Sequence, residues 1–519
     1  MTCSRGSICF RLAPWVLLTL ASVGCGSSSS GIPEGSVSPT SNALVAQYSV
    51  TPSHVGSIGW VEFGRDTNYG RETSRTPATT NYGQTINIMV AGMKPSTTYH
   101  MRAHLEWPAG NESWVDQDRT FTTRSLASVG LVAPQITVTN PDPSLKPTPG
   151  VELIDGVLLS GPSNGLLTTV VTDLQGNVIW YYPPGQDIYR FTTDGYVILN
   201  LTTLLRETDL AGNIIQQVTA SQVNRSLQLQ GYSYQITGFH HDLLLLPNGH
   251  WIGLANILKD FTDLPGYPGV TTVLSDALLD IDPTGNVVWA WSAFDHLDIN
   301  RHPWGLGISF AGAGGAMGAD WTHGNALQYT ADGNLLFSMR AQDWIIKIDY
   351  ANGMGSGDIL WHLGYQGDFT LAGGDSRDWF YGQHEPSIVS ENGSQMTLSV
   401  WDNGNNRVQP DGSVCGTQPP CYSRATLFTL DENGKTADLL WQDLPNLYSV
   451  WGGAVEELGN GRFEFDMTAP FGNSASRVEE VTQTDNPQLV WQMDIKGQNA
   501  YRAYRMPSLY PGVTWKKVD

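Results

Sequence analysis

Beyond Val151 two kinds of tight turn alternate, and that alternation limits the possible folds more than any other feature of this chain. One kind is an Asp-Gly or Asn-Gly pair that opens an apolar strand: Asp155-Gly156, Asp194-Gly195, Asn248-Gly249, Asp332-Gly333, Asn392-Gly393 and Asn460-Gly461. The other is a Gly-Asn-like turn before a strand that usually ends in Trp. It runs from Gly176-Asn177 to Trp180, Gly212-Asn213 to Gln216, Gly285-Asn286 to Trp289, Asp358 to Trp361, Gly434 to Trp441 and Asn486 to Trp491. Such pairs supply the positive φ that short hairpin loops require. Six of each in strict alternation predict twelve hairpins, two per four-stranded sheet. Six such sheets in a ring make a six-bladed β-propeller over residues 151–519. A large sandwich without a regular period is the competing reading, and the alternation speaks against it.

Composition agrees. Only 15% of the 519 residues are charged, against 56 Gly, 29 Pro and 18 Trp. This suits an all-β protein and excludes a disordered chain, a coiled coil and a helical bundle. The formal charge of −21 repels phosphate backbones, so no nucleic-acid partner is expected.

The N-terminus reads as an export signal. Arg5 and Arg11 precede an apolar run from Leu12 to Val23, too short to cross a bilayer as a helix. With small residues at Ser22 and Gly24, residues 1–24 form a signal peptide. Cys25 follows as in a bacterial lipoprotein processing site, and Ser27 to Ser30 belong to a polar tether over residues 25–36. An exported bacterial protein is expected, periplasmic or held at the outer membrane by a lipid on Cys25; ordinary secretion is the alternative. Of five Cys, only Cys415 and Cys421 then remain unassigned, and an oxidising compartment favours a disulfide between them. Zinc is the weaker reading there, because four ligands are lacking locally.

Residues 37–125 alternate and are β-branched. The run from Ala91-Gly92-Met93-Lys94-Pro95 to Thr98-Tyr99, closed by Thr120-Phe121-Thr122-Thr123, resembles the end of a fibronectin type III module. That likeness implies a small β-sandwich. A Pro-rich linker, residues 126–150, follows.

Three of the eleven His share one position in the repeat, each opening the strand before an Asp-Gly or Asn-Gly turn. They are His240 in His240-His241-Asp242-Leu243, His323 in His323-Gly324-Asn325-Ala326, and His384 in His384-Glu385-Pro386-Ser387. Innermost strands of a propeller line its axis, so these side chains should converge, with His240 rather than His241 facing the channel. A single His is most often a hydrogen-bonded structural residue; three in one register are not explained that way. Arg340 ends a hairpin strand that faces the same cavity. Three imidazoles could bind zinc, but a fixed cation disfavours another. An oxyanion suits Arg and His better. The Gly-rich run Gly312 to Gly318 reads as a loop over the channel.

The motifs Trp321-Thr322-His323-Gly324-Asn325, Met339-Arg340-Ala341-Gln342-Asp343-Trp344, Gln383-His384-Glu385-Pro386, Trp401-Asp402-Asn403-Gly404, Trp451-Gly452-Gly453 and Tyr501-Arg502-Ala503-Tyr504-Arg505 resemble bacterial aryl-sulfate sulfotransferases. The resemblance implies a six-bladed propeller with an N-terminal β-domain. It implies sulfuryl transfer from a phenolic sulfate to a phenol, without 3′-phosphoadenylyl sulfate, another cofactor or a metal. His384 matches the nucleophile, to be N-sulfurylated. His240, His323 and Arg340 match its partners, and Asn325, with His241, falls among substrate-binding positions. Ala341 stands where members usually carry His, which bears on acceptor preference. Donor and acceptor phenols are the implied partners; the membrane is reached only through the lipid, and a homodimer is compatible. A metal-dependent hydrolase or sulfatase, or a ligand-binding propeller lipoprotein, are the rival readings.

Overall fold

The computed structural model describes residues 33–516, apart from 79–83, 158–163, 183–186, 192–196, 201, 308, 416–420 and 471–474. The signal peptide, Cys25 and the Asp194-Gly195 turn lie outside the described residues. The chain is nearly all β. Among the described residues there are two α-helices, Ala220–Leu229 and Ala293–His296.

From Val151 onward the chain forms six sheets, each built on four antiparallel strands. The second to sixth are meanders contiguous in sequence. They begin with Asp187–Phe191, Ile236–Leu245, Gly324–Tyr329, His384–Asn392 and Val455–Gly459. Each Gly-Asn-like turn joins the last two strands of its sheet, as expected. Four of the other turns, at Asn248, Asp332, Asn392 and Asn460, join the first two.

The first sheet departs from that expectation. Asp155-Gly156 is not a turn; it lies inside the strand Val151–Val157, at a register shift. The missing fourth strand comes from the chain end, Asn499–Met506, which pairs with Val151–Val157. Reading hairpins along the chain cannot reveal a strand supplied from 349 residues away, as the register pair Ile154 and Ala503 illustrates. The Pro-rich stretch is also not a bare linker. Its Gln135–Thr139 segment pairs with Leu489–Lys496 as a fifth strand on the sixth sheet.

The repeated Trp has a repeated job. Trp180 Nε1 donates to Leu210 O in the second sheet's outer turn (2.9 Å), and Trp289 to Gly355 O in the fourth sheet's (3.4 Å). Trp441 donates to Thr484 O in the sixth sheet's turn (3.1 Å), and Trp491 to Leu174 O in the first sheet's (3.0 Å). Gln216, which holds the Trp position in the second sheet, donates to Pro283 O in the third sheet's turn (3.0 Å). A buried indole N–H needs a partner, and the next sheet's turn supplies it for four of the five repeat Trp; Trp361 Nε1 has no hydrogen-bond partner among the described residues. The leading strands of successive sheets also touch one another, and Val455–Gly459 touches Asn499–Met506.

Residues 35–122 form two sheets that share one core, including Tyr48, Ile88 and Val90 from one and Phe63, Tyr99 and Met101 from the other. The same core takes in Leu509, Tyr510 and Trp515. Trp515 Nε1 donates to Glu72 O (2.9 Å), and the Tyr510 hydroxyl donates to Met89 O and accepts from Ala91 N (both 2.7 Å). The front unit therefore grips the tail just beyond the strand that completes the first sheet. Trp515→Ala is expected to cost about 3–5 kcal/mol, read as a lower denaturation midpoint. An unchanged midpoint would show that the tail is not held there.

Candidate active site

The leading strands of the third, fourth and fifth sheets are irregular where the His side chains sit. Register shifts fall between Phe239 and Leu243, Gly324 and Ala326, and His384 and Ser387. His241 (φ 52°), His323 (φ 47°) and Glu385 (φ 40°) adopt left-handed backbone. Non-Gly residues reach that region at a cost of about 1–3 kcal/mol each, and bulges re-aim side chains. Strain at three facing strand ends marks a site held in place by its surroundings.

Four imidazoles and a phenol form a continuous cluster. The His241 ring lies 5.2 Å from His323, 5.0 Å from His240 and 5.7 Å from Tyr501. Tyr501 lies 5.9 Å from His384 and 6.3 Å from Trp451. His323, His384 and the His240-His241 pair thus meet as expected, but with a correction. His241, not His240, makes the ring contacts to His323 and Tyr501, because the bulge and positive φ turn it inward. His240 stands behind it, with Nε2 3.0 Å from Asp276 Oδ1.

His384 is buried, and its tautomer can be read from its neighbour. The Asn403 amide donates to Ser449 O (2.8 Å) and Gly452 O (3.0 Å). Its Oδ1 must then accept from His384 Nδ1 (2.6 Å). The proton is on Nδ1, so Nε2 carries the lone pair, and Gly452 N–H donates to it at 3.2 Å. Burial first, and the Arg340 cation second, hold the imidazole well below its usual range. His384 is therefore neutral at physiological pH. His323 Nδ1 bonds Asp320 Oδ2 (2.5 Å), and the exposed Phe310 ring lies 5.1 Å from His323.

Arg340 reaches the same region. One Nη2 donates to Val450 O (2.8 Å), and the Trp304 face lies 4.5 Å from the guanidinium. Its Nε is buried with no hydrogen-bond partner among the described residues, and so is the Tyr501 hydroxyl. Asn325 is fully buried: its amide N–H donates to Gln383 O (2.7 Å) at the head of the next sheet's leading strand, and its Oδ1 has no hydrogen-bond partner among the described residues. The run Gly312 to Gly318 is not simply a loop: Ser309–Ala311 and Met317–Asp320 pair and extend the third sheet.

Beneath the cluster, buried Arg502 pairs with Glu385 Oε2 (2.6 Å) and Asp242 Oδ1 (3.3 Å), and donates to Asn325 O (2.6 Å). Cys415 and Cys421 form a disulfide, and Cys415 lies beside Gly404, two residues after Asp402. Among the described residues no group of His, Cys, Asp or Glu is arranged to hold a metal ion.

Sequence reading did not assign Asp276, Asp320, Asn403, Tyr501 or Arg502 a place around the His cluster. Asn403, Tyr501 and Arg502 lie in recognised motifs, and Asp276 interrupts the apolar run from Val273 to Ile281; those were the available signals.

The family profile described as Arylsulfotransferase (ASST) matches residues 155–505, which include every residue of this cluster. The chain belongs to the arylsulfotransferase family. No curated protein matches it. Solved structures similar to it include a protein of unknown function from Bacteroides caccae, at 11% identity and TM-score 0.24, covering 57% of this chain and 94% of that one. Another is a putative 6-phosphogluconolactonase from Bacteroides fragilis, at 12% identity and TM-score 0.32, covering 70% of this chain and 100% of that one. Likenesses this weak carry no argument; family membership rests on the profile match.

The neutral state of His384 has a kinetic signature. Protonation would remove its lone pair, and its depressed titration delays that loss to well below the ordinary His value of about 6.5. Turnover of a nitrophenyl sulfate is expected to stay undiminished as pH falls from about 7.5 to about 6. An acid limb centred near about 6.5 would contradict this assignment.

Proposed function

We propose that this arylsulfotransferase moves a sulfuryl group from a phenolic sulfate to a phenol through a sulfurylated His384, without a nucleotide donor. The observation that carries this reading is the Asn403 anchor, which puts the His384 proton on Nδ1 and the lone pair on Nε2, where a single backbone N–H, that of Gly452, must give way to sulfur. His384 Nε2 attacks sulfur while the aryl oxygen departs with the S–O bonding pair. Arg340 and His323 stabilise the charge that spreads over the three equatorial oxygens. Gly452 N–H, released from Nε2 as the S–N bond forms, is placed to donate to one of them. An acceptor phenol, deprotonated within the cluster, then attacks sulfur and returns the S–N pair to Nε2.

In this reading the six sheets are blades of a closed propeller. The Trp-to-turn bonds support it, as does the contact between Val455–Gly459 and Asn499–Met506, which would close the ring. The front sheets form a fibronectin type III-like sandwich. Signal peptide, Cys25 lipid anchor and periplasmic or outer-membrane placement complete the proposal, and a donor that is not a nucleotide fits an exported enzyme.

The test is a chromogenic phenyl sulfate, with and without added phenol. Sustained release of the chromophore that depends on phenol, with sulfated phenol as product, is the expected result. Release that proceeds equally without phenol and yields free sulfate would make the protein a sulfatase instead.

A further inference from the structure

Three side chains, Asp276, His240 and His241, stand in line from behind the cluster into it. Asp276 is fully buried in the strand Tyr267–Ile281. Its Oδ2 accepts from Thr322 Oγ1 (2.7 Å) and Gly324 N (2.5 Å), so it holds the side chain before His323 and the backbone after it. Its Oδ1 lies 3.0 Å from His240 Nε2 and 3.1 Å from Asn256 Nδ2. Asn256 is oriented by Ala313 N, which donates to its Oδ1 (2.8 Å), and its Nδ2 lies 2.8 Å from His240 Nε2. His240 Nδ1 is 2.7 Å from His241 Nδ1.

Two ring nitrogens at that distance hold one proton between them, since two lone pairs or two N–H groups would repel. His241 then turns its other nitrogen, Nε2, away from His240, on a ring beside His323 and Tyr501. Burial alone would raise Asp276, but the hydrogen bonds from His240, Thr322 and Gly324 hold it down as a carboxylate. Burial and the neighbouring His240 and His323 hold His241 well below its usual range. The buried Asp276 carboxylate faces His240 and not His241, so a positive charge on the pair sits on His240, against it.

We infer that Asp276, His240 and His241 form a proton relay for sulfuryl transfer: His241 Nε2 exchanges the proton with the aryl oxygen, His240 stores it, and Asp276 is the positioning residue that lets His240 hold it. The inference rests on the sulfuryl-transfer reading of this site. Before transfer, His240 carries protons on both nitrogens and His241 on Nε2 alone. As the S–O bond breaks, the aryl oxygen leaves with the bonding pair and takes the His241 Nε2 proton. The shared proton moves from His240 Nδ1 to His241 Nδ1, and the phenol departs neutral. In the second half the acceptor phenol gives its proton to His241 Nε2, the shared proton returns to His240, and the phenolate oxygen bonds sulfur as the S–N bond breaks.

A relay matters only where the leaving group needs a proton, and that separates it from a merely structural role. The experiment compares formation of the His384 adduct from phenyl sulfate, whose phenol has a pKa of about 10, and from a nitrophenyl sulfate, whose phenol is a stronger acid. Asp276→Asn, His240→Gln and His241→Gln are each expected to slow phenyl sulfate by about 10²–10⁴-fold and the nitrophenyl ester by less than about tenfold. A double variant should be no slower than the worse single one, because the three act as a unit. Should Asp276→Asn misfold through its lost bonds to Thr322 and Gly324, the ratio for His240→Gln decides. Equal losses on both donors, or none on either, would overturn the relay. Absence of any adduct in the unmodified enzyme with both donors would instead overturn the sulfuryl-transfer reading itself.

Discussion

Arg340→Ala is expected to lower kcat/KM for sulfuryl transfer by about 10²–10³-fold, the usual cost of losing one oxyanion donor. Arg340 sits at the end of the strand Leu335–Met339, with its backbone N–H donating to His323 O (3.1 Å). Its side chain is held by Val450 O and the face of Trp304, yet Nε has no partner among the described residues. A buried donor left unpaired costs about 1–3 kcal/mol, more when charged. A bound sulfate ester would supply the acceptor, and the forked guanidinium matches its oxygens. Arg340→Lys should recover only part of the loss, since Lys restores charge without the planar fork. A fall of less than about threefold for Arg340→Ala would mean that this cation is not part of the oxyanion machinery.

Arg502→Met is expected to destabilise the fold by about 3–5 kcal/mol, because it strands two buried carboxylates. Arg502 comes from the C-terminal strand and faces Asp242 from the third sheet and Glu385 from the fifth; all three are buried. It also donates to Asn325 O in the fourth sheet. One guanidinium thus ties four sheets together beneath the histidines. Its removal should lower the denaturation midpoint, and adding Glu385→Gln should restore part of it by removing one stranded charge. An unchanged midpoint in Arg502→Met would show that water or rearrangement already compensates these carboxylates.

The sequence made the outer half of each sheet legible. All six Gly-Asn-like turns fall where the spacing puts them, and four of the five Trp that follow bond to the neighbouring sheet's turn, with Gln216 making the equivalent bond in the second and Trp361 making none among the described residues. Turn chemistry is local, so it can be read along the chain. The first sheet was not legible, because its inner strand is paired across the chain ends and Asp155-Gly156 imitates a turn inside a strand. The same limit applied at the site. The shared register brought His323, His384 and the His240-His241 pair together. It could not tell which of the two adjacent His faces inward, because a bulge breaks the two-residue alternation on which that choice depends. Nor could it find Asp276 or Asn403, whose importance lies in a hydrogen bond to a His on a different strand, or Asp320, whose bond to His323 three residues on depends on how that strand end is bent.

In the proposed mechanism His384 Nε2 is the sulfuryl carrier. The most direct measurement is mass spectrometry of the enzyme mixed with an aryl sulfate in the absence of phenol. A stoichiometric gain of about 80 mass units, as for a covalent sulfuryl intermediate, is expected on the peptide containing His384 at neutral pH. It should disappear when phenol is added and be absent from His384→Ala, which should also lack turnover. An adduct on His240, His241 or His323 instead, or full turnover by His384→Ala, would contradict the account.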